Sequence, residues 1–139
     1  MRWLILAAFL GALAACAQTS RQMRAHTYPQ SFDYITRDDV HDSMLQLALR
    51  VQRLDALLRA EPPTQDETRR SEAVSLLADM EARTQQLSRG GSISNHSEFS
   101  ARLSHFASDL RAAREAVQSE PANYFLAGAV VGSCTYCHR

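Results

Sequence analysis

Residues 95–117 read NHSEFSARLSHFASDLRAAREAV. Their apolar positions Phe99, Leu103, Phe106, Leu110, Ala113 and Val117 fall alternately four and three residues apart. A strand would set apolar residues two apart; this spacing stacks all of these on one narrow stripe of a helix. Asn95, with Glu98 three residues on, supplies the chemistry of a helix start. A stripe this narrow is a seam, useful only against other helices, so the stretch predicts a bundle.

The neighbouring sequence supplies the partners. Upstream, Thr36 and Asp39 form a capping-box pattern. Behind them Val40, Met44, Leu47, Val51, Leu54 and Leu58 repeat the four-and-three spacing until Pro62 and Pro63 stop it. A second box, Thr64 and Glu67, opens a helix carrying Ala73, Leu77, Met80, Thr84 and Leu87, which ends at Gly90-Gly91. A fourth helix is expected from Ser119, with Pro121 in its first turn. It is apolar on most sides from Tyr124 to Val131 and runs into the C-terminal residues. Four seamed helices with short links predict an all-α fold, an antiparallel up-down-up-down four-helix bundle. A dimer of helical hairpins is the competing arrangement.

Composition narrows the function classes. The chain has 139 residues, with 15 basic and 15 acidic side chains, so it lacks the electrostatic footprint of a nucleic-acid binder. No paired carboxylates and no Ser/His/Asp set fall where they could act together, so an enzyme is not expected. The pairs Asp38-Asp39 and Arg69-Arg70 read as solvated charges at helix ends.

Of the three cysteines, Cys16 closes the segment MRWLILAAFLGALAAC. Arg2, an apolar run from Trp3 to Leu13 and small residues after it have the order of a secretory signal, and the run is too short to span a membrane. Its end, LAAC, resembles the lipobox of bacterial lipoproteins. That resemblance implies cleavage of residues 1–15 and lipidation of Cys16 on the periplasmic side of a membrane. Ala17 in place of the aspartate that retains some lipoproteins favours the outer membrane. Residues 16–35 then read as a lipidated tether, with Tyr28, Phe32 and Tyr34 able to dock, and residues 36–139 as the folded domain. A plain signal peptide is the alternative.

The other two cysteines lie in SCTYCHR, residues 133–139. On a helix Cys134, Cys137 and His138 share one face. Cys-x-x-Cys-His is the attachment signal of c-type haem. A zinc site would need further ligands, normally a second close-spaced pair, and His26, His41, His96 and His105 form none. A Cys134–Cys137 redox disulfide would call for a βαβ context, which the helical pattern does not provide.

With this motif at the end of its last helix, the chain resembles the class II c-type cytochromes, cytochrome c-prime and its low-spin relatives. The resemblance spans residues 36–139, and its specific part is Cys134 to His138. It implies one covalent haem c held through thioethers by Cys134 and Cys137, with His138 as the proximal iron ligand. It also implies a monohaem electron carrier with redox partner proteins; membrane attachment through the N-terminal lipid is what the lipobox implies, and a homodimer is one open state. In the family a basic residue commonly follows the histidine by about a turn. Here Arg139 follows at once, which leaves proximal solvent access and potential outside what the resemblance implies.

In an antiparallel bundle the end of the fourth helix is expected level with residues 40–48 and 95–103, where Met44, His41 and His96 can bind iron. Low-spin members carry a methionine early in the first helix as distal ligand, and Met44 is similar in position; its other reading is a flexible core filler. His41 is turned off the seam, and His96 reads as a helix-entry residue near the haem edge. His105, about 13 Å beyond His96 along the axis, is set aside. Met23 and His26 lie in the tether. Without Met44 on the iron, the alternative is a five-coordinate protein binding NO or CO. A second alternative is a non-haem scaffold lipoprotein.

Overall fold

The computed structural model describes residues 34–60, 66–88, 97–136 and 138, together with Met23, Thr27 and Phe32. The chain divides into two units, Met1–Phe32 and Asp33–Arg139, and the second carries the fold. The segment expected to be a signal, Cys16 after it, and the residues Tyr28, Pro62, Pro63, Thr64, Gly90, Gly91, Asn95, His96, Cys137 and Arg139 lie outside the described residues.

Four helices and no strand occur among the described residues of this unit: α1 (Arg37–Arg59), α2 (Asp66–Leu87), α3 (Ser97–Gln118) and α4 (Phe125–Gly132). A 3-10 turn, Ser133–Tyr136, follows α4. The first three are about 33 Å long and α4 only about 12 Å. That inequality shapes everything that follows.

The start of α1 follows the sequence pattern. Thr36 Oγ1 accepts from the Asp39 backbone N–H at 3.1 Å, and the Asp39 carboxylate accepts from the Thr36 N–H at 3.0 Å. Two otherwise orphaned donors are thereby satisfied. Hydrogen bonds from the Thr36 hydroxyl, then from its backbone, hold the Asp39 carboxyl below its ordinary value. Ile35, just before the cap, is buried with Leu87 and Leu103, and Val40 packs against the same cluster. This staples the chain's entry to the first turn.

The seams fall where the spacing sets them. Leu47, Val51 and Leu54 of α1 are buried, as are Ala73, Leu77, Met80, Thr84 and Leu87 of α2 and Leu103, Leu110, Ala113 and Val117 of α3. Ala127 and Val130 of α4 complete a core shared by all four helices. Thr84 is the polar member, and its hydroxyl donates to the Met80 carbonyl at 2.8 Å. Both α2 and α4 pack against α1 and α3.

Charged pairs tie the long helices outside the core. Arg50 pairs with Asp79, and Arg53 with Glu72. The Arg50 hydrogen bond, outweighing the carboxyl's burial, holds Asp79 below its ordinary value. Glu81 on α2 is buried and meets Arg111 at 2.9 Å and Arg114 at 3.2 Å on α3.

The fourth helix departs from expectation. It starts at Phe125, six residues after Ser119, and the preceding link contains a cis Glu120–Pro121 peptide. Two interactions account for the late start. Arg70 reaches from α2 to the carbonyls of Val117, Gln118 and Ser119 and to the Glu120 carboxylate. Val117 and Gln118 end α3, and Ser119 and Glu120 are thereby held in the link after it. Asn123 donates its N–H to Ala116 O and accepts from the Phe125 N–H, both at 2.9 Å, which supplies a start at Phe125 instead. Arg69 lies over the Tyr124 ring, 5.0 Å from its centroid, and donates to Leu58 O at 2.8 Å. Reading Arg69 and Arg70 as merely solvated charges is therefore corrected: both bind the ends of neighbouring helices and the residues just beyond them.

Candidate cofactor site

A helix as short as α4 cannot cover neighbours almost three times its length. Where it stops, a cavity of about 640 Å³ lies between α1 and α3, within the range of small-molecule and cofactor sites. The α1 wall is Met44, Leu47, Ala48 and Val51, with no polar side chain. Leu103 and Phe106 give the α3 wall its apolar part, while Arg102, His105 and Asp109 give it a polar edge.

The C-terminal residues close the remaining side. The Ser133 hydroxyl donates to Val130 O at 2.7 Å and Thr135 to Gly132 O at 3.0 Å, so the turn is bonded back onto α4. His138 N–H then donates to Cys134 O at 3.1 Å, the i to i+4 bond of an α-turn. That bond sets Cys134 and His138 one turn apart on the same side of the chain, and both line the cavity. The Cys134 thiol is free and exposed, and His138 is exposed as well.

The expected site residues divide as follows. Cys134, His138 and Met44 meet at one cavity, with Met44 half-buried and packed against both core clusters. His41 is exposed, its Nδ1 3.6 Å from Asp42, and does not line the cavity. Cys137, His96 and Cys16 are outside the described residues. The cavity lies deeper than the expected site, on residues 44–51 and 102–109 in place of 40–48 and 95–103. Because α4 begins late and is short, its end meets α3 further from the bundle end. The same shift corrects the dismissal of His105, which lines the cavity.

Sequence reasoning also missed Arg102 and Asp109. They flank the apolar stripe of α3 by one position, where solvated residues normally sit, and only the early end of α4 gives them a cavity to line. Among the described residues no three His, Cys, Asp or Glu side chains converge to hold a bare metal ion. The cavity offers two imidazoles, of His105 and His138, one thiol, one thioether and apolar walls.

No protein-family model, curated protein or solved structure matches this chain.

Proposed function

We propose that the chain is a monohaem c-type cytochrome, a periplasm-facing lipoprotein that carries single electrons. One observation carries the reading: Cys134 and His138, bonded into one turn, border an apolar cavity left by the early end of α4. Cys134 and Cys137 would hold the haem through thioethers and His138 would supply an imidazole nitrogen to its iron. Haem iron supplies reversible one-electron chemistry. The residues present fit such a group: a flat apolar body needs apolar walls, and Leu47, Val51, Leu103 and Phe106 provide them.

Met44 is the proposed sixth ligand. It stands in the α1 wall, and a soft thioether raises the potential relative to a second imidazole. Its packing against both core clusters also suits a filler, and that observation favours the second reading, a five-coordinate haem able to bind NO or CO. The optical spectrum separates the two, since six-coordinate low-spin iron supports the electron carrier and five-coordinate high-spin iron supports the gas binder. A colourless protein from a host with haem-maturation machinery supports the non-haem scaffold lipoprotein.

The proposed arrangement is an up-down-up-down bundle. In its favour, the later Arg53 of α1 pairs with the earlier Glu72 of α2, while Arg50 pairs with Asp79. Likewise Arg70 meets the end of α3 while Glu81 meets Arg111 and Arg114. Membrane attachment through a lipid on Cys16, outer-membrane location and redox partner proteins belong to the same proposal and rest on the sequence pattern. No helix among the described residues is long and apolar enough to cross a membrane.

A further inference from the structure

The cavity has a charge order. Arg102, His105 and Asp109 lie three and four residues apart on α3 and all line it, so they form one edge about 10 Å long. The α1 wall contributes no titratable group, and the terminal turn contributes Cys134 and His138. Arg102 is thus the one guanidinium, and Asp109 the one carboxylate, among the described lining residues.

The two charges stand at opposite ends. The link into α4 is fixed beside Ala116 by the Asn123 hydrogen bond. From there α4 runs about 12 Å, and residue 109 lies about 10 Å from residue 116 along α3. Two residues of 3-10 turn carry Cys134 about 4 Å past the end of α4, so in the proposed bundle it stands level with the middle of this edge, between Asp109 and Arg102.

From this order we infer that Arg102 is a positioning residue, pairing with the carboxylate edge of the bound group. The inference rests on the haem reading and extends it to orientation. A haem has reactive vinyl carbons on one side and two propionate carboxylates on another. Carboxylates entering an apolar cavity need a cation and hydrogen-bond donors. Only the Arg102 end provides a permanent cation, whereas the Asp109 end repels them. The charge order alone selects this orientation, with the carboxylate edge toward Arg102.

The test uses holoprotein from a host with haem-maturation machinery, as wild type, Arg102→Gln, Arg102→Lys and Arg53→Gln. Arg53 pairs with Glu72 away from the cavity and controls for net charge. The readouts are the propionate bending band in the resonance Raman spectrum and the midpoint potential. Arg102→Gln is expected to shift the band and lower the potential, because removing a nearby cation favours ferric iron. Arg102→Lys should restore both in large part, and Arg53→Gln should leave both unchanged. A haem-loaded Arg102→Gln protein matching Arg53→Gln in both readouts overturns the inference and leaves the cytochrome reading standing. Wild-type protein without covalent haem overturns both.

Discussion

The His138 backbone N–H donates to the Cys134 carbonyl at 3.1 Å. This single bond continues helical winding past the 3-10 turn, so the cysteine and the histidine rise from one side of the chain. A terminus without it would present the same residue types in no fixed relation. The bond turns a sequence motif into a local geometry at the edge of an apolar cavity, and the predictions start from there.

The sixth position is tested by two substitutions on opposite walls. Met44→Ala is expected to convert a low-spin spectrum into a five-coordinate high-spin one, while His105→Ala leaves it low-spin. The reverse result assigns the ligand to His105. No change in either variant dismisses both.

The capping box is testable by stability. Thr36→Ala should cost about 1 kcal/mol, read as a lower thermal midpoint at neutral pH. Asp39 has a depressed carboxyl value in the fold, so its contribution is present above the ordinary carboxylate range and is lost as pH falls through the folded value. The stability gap between wild type and Asp39→Asn should therefore shrink below about pH 4. A gap that widens on acidification contradicts the assignment.

The core seam makes a contrast. Leu77 is fully buried and Leu45 is 51% exposed. Leu77→Ala should cost about 3 kcal/mol, and Leu45→Ala about 0.5 kcal/mol or less, by denaturant unfolding. Equal losses would remove the seam as the source of stability.

Arg70 should govern the start of α4. Arg70→Gln removes the guanidinium that holds the carbonyls of Val117, Gln118 and Ser119. Faster amide hydrogen exchange in residues 119–131, with α1 unchanged, is the expected result. Unchanged exchange there would show that Asn123 alone sets the link.

The long helices were legible because burial follows spacing. Each position of the α2 seam, down to the polar Thr84, is buried as its place in the repeat requires. The fourth helix was misread for an equally physical reason. Ser119 and Pro121 are good first-turn chemistry, but Arg70, about fifty residues earlier and brought near only by the fold, captures the carbonyls there. No local pattern contains that competitor. The same long-range effect set the cavity about one turn further along α1 and two turns further along α3 than expected, and hid Arg102, His105 and Asp109, whose place on it depends on where another helix stops. Ile35 was hidden differently: a lone apolar residue in a polar stretch shows no period, and its burial depends on Leu87 and Leu103.

The central claim is covalent haem at Cys134, Cys137 and His138, and peroxidase staining after denaturing electrophoresis tests it most directly. The wild-type chain, produced with haem-maturation machinery, is expected to stain and to gain the mass of one haem. Cys134→Ser with Cys137→Ser should abolish both. A wild-type chain that neither stains nor gains mass under those conditions contradicts the account.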